Sequence, residues 1–79
     1  MRYFVYILQS QKNGKYYVGQ TNDLEKRISQ HNSGYSFSTK HGIPWELLFQ
    51  KEFASRSEAM QYERELKSYK SHDYILRII

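Results

Sequence analysis

The sequence predicts a single α+β domain over residues 1–79, with a three-stranded antiparallel sheet flanked by helices in the order ββαβαα. Three observations lead to this fold class. A chain of 79 residues is the length of one domain. Aromatic and β-branched residues are concentrated in short segments that a turn separates. Two further segments have apolar residues at helical spacing and begin with residues that cap helices.

The first two strands are predicted at "RYFVYILQ" and "KYYVGQ", which are rich in residues that favour strands. Between them, Asn13-Gly14 is a turn signal, so the two strands form a hairpin. A four-residue loop would place Tyr6 opposite Gly19, with Tyr17 as a diagonal neighbour of Tyr6 on the same face of the sheet. A two-residue loop would keep the face and separate the two tyrosines by about 13 Å.

A helix is predicted next, over "TNDLEKRISQHNSG". Asn22 can cap it, Glu25 completes a capping box with Asn22, and Gly34 ends the helix. After a polar, aromatic and basic loop, the alternation in "WELLFQKEF" predicts the third strand.

The second helix is predicted over "SRSEAMQYERELKSY", where Ser55 and Glu58 form another capping box. The last segment, "SHDYILRII", is predicted to form a short closing helix with an apolar side. This completes the order ββαβαα, in which helices pack on an antiparallel sheet.

Polar side chains are expected beside the apolar stripes of both helices. Arg27 and His31 are one turn apart and lie close to the stripe of the first helix. Either they face the core as functional groups, or Arg27 extends along the surface and His31 is a hydrogen-bonded core histidine. Glu63 lies inside the stripe of the second helix, where a carboxylate needs a cationic partner. Arg27, Lys67 and a metal ion are the candidates.

Five candidate functional side chains are expected to incline toward one face of the sheet: Tyr6, Tyr17, Arg27, His31 and Glu63. Such a set suits phosphodiester hydrolysis, because an arginine offsets charge that grows on phosphate oxygens. A carboxylate can hold Mg²⁺ with water, and a phenol or imidazole can take or orient a proton. Tyr3 and Tyr16 fall on the opposite face and are expected to pack.

These residues resemble the GIY-YIG nuclease superfamily, whose catalytic fold occurs in homing endonucleases and in the excinuclease ABC complex of excision repair. The segment "VYI" at residues 5–7 looks like the first signature, and "YVG" at residues 17–19 looks like the second. The likeness covers nearly the whole chain and is to small stand-alone bacterial members. The first signature lacks its glycine, and Gln20 stands where excision-repair relatives carry lysine.

The resemblance implies a role for each candidate residue. Tyr6 would act as general base on the attacking water or orient it, and Tyr17 would position the scissile phosphate. Arg27 would stabilise the pentavalent phosphate, and His31 would lie near the nucleophile. Glu63 would be the single ligand for Mg²⁺ or Mn²⁺. Whether Tyr6 or His31 accepts the proton stays open, since an unperturbed phenol is a poor base at neutral pH.

The expected function is therefore that of a metal-dependent DNA endonuclease in repair or recombination. The alternative is a nucleic-acid-binding or partner-docking module that does not cleave. A net charge of +4 favours a polyanionic partner, with Lys15, Lys40 and Lys67 as candidate DNA contacts. A protein partner that supplies specificity is expected, and the chain itself would be a monomer or weak dimer.

Composition excludes some classes of site. The chain has no cysteine, so neither disulfides nor cysteine zinc sites occur, which is compatible with the expected cytoplasmic location. No run of about 18 apolar residues exists, so no membrane span is predicted.

Overall fold

The structure, a computed structural model, describes residues 2–35, 37 and 39–69. In chain order its elements are strand β1 (Tyr3–Ser10), strand β2 (Tyr16–Thr21), helix α1 (Leu24–Asn32), a 3₁₀ turn (Lys40–Gly42), strand β3 (Trp45–Phe53) and helix α2 (Arg56–Tyr69). The three strands form one antiparallel sheet in the order β2-β1-β3, which confirms the predicted α+β class. The closing helix predicted for "SHDYILRII" lies outside the described residues. None of the helices within the described ranges is long and apolar enough to cross a membrane.

The hairpin between β1 and β2 has the four-residue loop that places the two tyrosines close together. The Ser10 N–H donates to the Lys15 carbonyl at 2.9 Å and closes the loop. Gly14 has φ of 75°, the left-handed conformation that glycine adopts without steric cost. The resulting register pairs Tyr6 with Gly19, as predicted.

Helices cover both faces of the sheet, and β1 is buried between them. Helix α2 packs on the face formed by the odd-numbered residues of β1, in a cluster of Val5, Ile7, Ala59 and Leu66 bordered by Tyr3, Tyr16, Val18, Phe49, Phe53 and Tyr62. Helix α1 and the loop after it cover the even-numbered face, in a cluster of Tyr6, Leu8 and Trp45 bordered by Tyr17, Leu24, Ile28, Ile43 and Leu47. Strand residues alternate between faces, so a central strand covered on both sides is apolar throughout. The packing role predicted for Tyr3 and Tyr16 is confirmed.

The N-terminus of α1 differs from the prediction by one residue. Asp23, and not Asn22, is the N-cap, and its side chain accepts a hydrogen bond from the Lys26 N–H at 3.2 Å. A capping side chain bonds the N–H two or three residues further on, so Asp23 leaves Glu25 too early in the helix to complete a capping box. The end of α1 is as predicted, since Gly34 follows it with φ of 82°.

The capping pair predicted for α2 is confirmed in contact. The Ser55 hydroxyl accepts a hydrogen bond from the Glu58 N–H at 3.3 Å and donates one to the Glu58 carboxylate at 3.0 Å. The same two groups therefore satisfy one N–H of the first turn and fix the direction in which α2 leaves β3.

The last residue of α1 binds the start of β3. The Asn32 Oδ1 accepts from the Trp45 N–H at 2.6 Å, and the Asn32 Nδ2 donates to the Trp45 carbonyl at 3.1 Å. One amide side chain thus satisfies both backbone groups of an edge-strand residue. The contact fixes the end of α1 that carries His31 against the sheet.

Candidate active site

The two signature tyrosines are diagonal neighbours on the face of the sheet that α1 covers. Their ring centroids are 6.4 Å apart. A Cβ at Gly19 would lie 2.5 Å from the Tyr6 hydroxyl oxygen and 2.7 Å from Cζ, so the phenol occupies the space that a side chain would take. Glycine at this position therefore allows the Tyr6 ring to extend over β2.

His31 connects Tyr6 to the loop after α1. Its ring is fully buried, with Nε2 3.0 Å from the Tyr6 hydroxyl and Nδ1 2.8 Å from the Thr39 hydroxyl. The Tyr17 ring contacts the imidazole edge-on, with centroids 4.9 Å apart. A continuous chain of hydrogen bonds thus runs from a phenol through an imidazole to a threonine hydroxyl, and both nitrogens of the buried ring have a partner.

Thr39 is a member of this site that the sequence did not indicate. Its side chain is 1% exposed, and its carbonyl accepts hydrogen bonds from the Trp45 indole Nε1 at 2.8 Å and the Gly42 N–H at 3.1 Å. These contacts hold the Thr39 hydroxyl against His31. A threonine in a polar loop has no sequence signal that separates it from its neighbours, because the contact depends on the tertiary path of the loop.

Arg27 lies one turn before His31 on α1 and is half-buried. Its Nη1 donates to the Gln30 side-chain oxygen at 3.1 Å, and among the described residues it makes no ion pair with a carboxylate. The Tyr6 phenol beside the guanidinium is the main reason why the pKa of Arg27 is raised. The structure thus brings Arg27 to the tyrosine pair with its charge not neutralised.

Burial keeps the two proton-bearing groups of the site neutral. It raises the pKa of the Tyr6 phenol, a rise that the nearby Arg27 charge opposes. Burial also lowers the pKa of His31 to about 4, and the charge of Arg27 lowers it further. At neutral pH the imidazole is therefore uncharged, and one of its nitrogens is an acceptor.

Glu63 does not share the face of the sheet with the other four candidates, so the expectation of one common face is wrong. Its helix, α2, packs on the opposite face. The carboxylate lies at the β2 edge instead, in a cleft of about 270 Å³ lined by Gln20, Met60, Glu63, Arg64 and Lys67. Its charge still acts on Tyr6, as the smallest of the influences that raise the phenol pKa. The carboxylate is thus within electrostatic range of the tyrosine pair around that edge.

Of the three partners considered for Glu63, the structure has Lys67. The two side chains form an i,i+4 ion pair with an Nζ–Oε2 distance of 2.8 Å. The Glu63 side chain is 19% exposed and that of Lys67 is 55% exposed. The buried partner is therefore the carboxylate, and the lysine can move into solvent at little cost.

The donor groups fit a divalent cation only in part. Within the described ranges no three His, Asp or Glu side chains lie together as a metal cage would require. Glu63 is the single carboxylate in its cleft, beside the cations Arg64 and Lys67. Mg²⁺ is commonly held by one or two carboxylates, water and a substrate phosphate. The residues therefore suit a metal ion that binds together with a phosphate.

The three lysines predicted to contact DNA lie on three separate elements. Lys15 follows the hairpin loop and is exposed. Lys40 is exposed in the 3₁₀ turn, with Nζ 4.7 Å from the centroid of the Phe37 ring. Lys67 is paired with Glu63. Their roles as DNA contacts stay predictions.

Comparison with known proteins gives a family match over most of the chain. The family model described as the GIY-YIG catalytic domain matches residues 2–74. A UPF0213 protein of Staphylococcus saprophyticus is 38% identical over 69 residues, covering 86% of this chain and 83% of that protein. The UPF0213 protein YazA of Bacillus subtilis is 42% identical over 62 residues, covering 77% of this chain and 62% of that protein.

A solved structure is similar over nearly the whole chain. The solution NMR structure of a UPF0213 protein from Bacillus halodurans superposes with a TM-score of 0.61 at 34% sequence identity. The match covers 99% of this chain and 82% of that one. Fold and sequence therefore agree on one family of small bacterial proteins.

Proposed function

Because the chain belongs to the GIY-YIG catalytic domain family, we propose that it is an endonuclease that hydrolyses DNA phosphodiester bonds with Mg²⁺ or Mn²⁺. The observation that carries the proposal is the contact between the Tyr6 hydroxyl and His31 Nε2 at 3.0 Å, beside an arginine without a carboxylate partner among the described residues. A neutral base next to a phenol, and a cation next to both, is what attack of water on a phosphodiester requires.

The proposed first step is a coupled proton transfer. The attacking water gives a proton to the Tyr6 oxygen while the Tyr6 hydroxyl gives its own proton to His31 Nε2. The water oxygen forms the new bond to phosphorus as the bond to the leaving oxygen breaks. A raised phenol pKa is compatible with this route, because the phenolate need never accumulate.

Two further residues act on the phosphate in this proposal. Arg27 offsets the negative charge that grows on its oxygens in the transition state. Tyr17, whose ring is 6.4 Å from that of Tyr6 between centroids, positions the phosphate against the phenol. Both side chains are half-buried, so they are accessible from the β2 side of the site.

Glu63 would hold the metal ion together with water and a phosphate oxygen. The ion, when bound, supplies Lewis-acid stabilisation of the phosphate and leaving oxygen. Binding requires Lys67 to leave the carboxylate, and its exposed side chain makes this inexpensive. Repair or recombination is the proposed setting, and a protein partner is the proposed source of DNA specificity.

The test is cleavage of end-labelled duplex, single-stranded and branched DNA in Mg²⁺, Mn²⁺ and EDTA. Wild type, Glu63→Gln and Tyr6→Phe are compared under identical purification. Metal-dependent cutting that both substitutions abolish supports the proposal. Cutting that both variants retain is a contaminant and argues against it.

The second candidate function is a module that binds nucleic acid without cutting it. The Glu63–Lys67 ion pair favours this alternative, because it engages the one carboxylate of the cleft that could hold a metal. DNA binding that persists in EDTA, with no cleavage in either metal by any preparation, would support it over the endonuclease.

A further inference from the structure

A polar cleft at the end of β2 is lined by two arginines from different helices. Arg27 comes from α1 and Arg56 is the first residue of α2. The cleft has a volume of about 240 Å³, and its other lining residues are Tyr3, Gln20, Thr21 and Asn22. None of these lining residues carries a negative charge. Two chain segments that pack on opposite faces of the sheet thus deliver cations to one place.

Neither arginine is neutralised by the described part of the protein. The ion pairs there are Arg2 with Glu52 and Lys67 with Glu63. The contact of Arg27 is to a neutral amide, and Arg56 is exposed at the start of α2. Two guanidinium groups on one cleft repel each other unless an anion lies between them. Planar guanidinium groups bind phosphate oxygens with paired hydrogen bonds, so phosphate is the anion that fits.

The cleft continues past Arg27 into a second polar space. This neighbour has a volume of about 270 Å³, shares Thr21, Asn22 and Arg27 with the first, and adds Asp23, Lys26 and Gln30. Its one carboxylate, Asp23, is the N-cap of α1 and accepts from the Lys26 N–H. Positive side chains therefore follow one another along the edge, from Arg56 through Arg27 to Lys26.

We propose that Arg56 binds a backbone phosphate of the nucleic acid adjacent to the phosphate that is cut, with Arg27 between the two and Lys26 continuing the track. This inference rests on the proposed function, since it assigns a second phosphate site to the same DNA strand. Arg56 is a binding residue in it and does not touch the reacting atoms. A strand held at two phosphates is fixed in direction as well as in position.

Binding is measured in EDTA with the Glu63→Gln protein as parent, so that no cutting interferes. Arg56→Gln in this background should weaken binding of a fluorescein-labelled DNA oligonucleotide about tenfold, the worth of one charge-assisted contact. The slope of log Kd against log salt should fall by about one, as for the loss of one phosphate contact. Arg56→Lys should keep that slope and still bind more weakly, because an ammonium lacks the planar fork.

The matched control is Arg2→Gln in the same background. It removes the same charge from an arginine that pairs with Glu52 and lines neither cleft, so the salt slope should not change. In the cleaving protein, Arg56→Gln should raise KM and leave kcat unchanged. Thermal unfolding of each variant checks the fold.

Two results separate the failure of each idea. If Arg56→Gln binds with the same affinity and salt slope as Arg2→Gln, the second phosphate site is wrong and the proposed nuclease stands. If the parent binds no DNA and wild type cuts none, the proposed function itself fails.

Discussion

The two faces of the sheet differ in what they bury. The face under α2 holds apolar and aromatic side chains, with Val5, Ile7 and Ala59 fully buried. The face under α1 and its following loop holds the buried polar residues as well, among them His31 and Thr39. Apolar burial stabilises a fold in proportion to area, whereas buried polar groups need every partner in place. One face therefore supplies stability, and the other carries the candidate chemistry at some cost in stability.

The strongest challenge to this comparison is a truncation on the α2 face. Ile7→Ala should lower the free energy of unfolding by about 3–4 kcal/mol, because it leaves a cavity in the cluster under α2. Urea unfolding followed by circular dichroism measures the change. Met60→Ala, at an α2 residue that is 43% exposed, is the control and should have little effect. A loss below about 1 kcal/mol for Ile7→Ala would contradict the division between the faces.

The pH dependence of stability tests the α1 face. The folded pKa of His31 is about 4, below the unfolded value of 6.5, so the unfolded chain binds more protons between these values. Stability from this group is fully present above pH 6.5 and is lost as pH falls toward 4. The loss should reach about 3 kcal/mol by chemical denaturation at each pH.

His31→Gln should remove this part of the slope, since glutamine does not titrate. His41→Gln is the control, because His41 is exposed and should leave the slope as in wild type. A wild-type slope that survives His31→Gln would mean that His31 is not the neutral buried group described above.

A smaller effect tests whether the hydrogen-bonded chain costs stability. Thr39→Val should destabilise by about 1–3 kcal/mol, because it leaves the buried His31 Nδ1 without a partner. Replacing the whole chain, as Tyr6→Phe, His31→Leu and Thr39→Val together, should recover most of that loss. Unfolding free energies of the single and triple variants decide the matter, and a triple variant less stable than Thr39→Val alone would contradict it.

The smallest predicted effect concerns the carboxylate at the β2 edge. Lys67→Met should lower the metal concentration for half-maximal cleavage severalfold, because it removes the cation that competes for Glu63. Titration of Mg²⁺ in the cleavage assay measures it. Arg2→Met, a cation paired elsewhere, is the control. An unchanged half-maximal concentration would separate Glu63 from metal binding.

Much of the fold was predictable because periodic patterns encode it. The third strand has the predicted bounds, Trp45–Phe53, and the diagonal relation of Tyr6 and Tyr17 followed from the loop length. The cap of α1 was predicted one residue early, because Asn22 and Asp23 are both good capping residues. Only the path of the chain into the helix selects between them.

The candidate site was predictable in its members more than in its arrangement. Helical spacing identified Glu63 as a polar residue within an apolar stripe, and this is where it lies. The same spacing does not state which face of the sheet the helix covers, which is why one common face was expected. Thr39 and Arg56 join the site through contacts between distant segments, and local patterns do not record such contacts.

The amide of Asn32 bears on assembly as well as on the position of α1. An outer strand normally offers its backbone N–H and C=O to a strand from another molecule, which is a route to aggregation. At Trp45 both groups are already bonded to the Asn32 side chain, so strand addition cannot begin there. Further along β3, Lys51 and Glu52 are exposed and disfavour a flat apolar contact. The helix that carries His31 therefore also closes the start of this edge against a second copy of the chain.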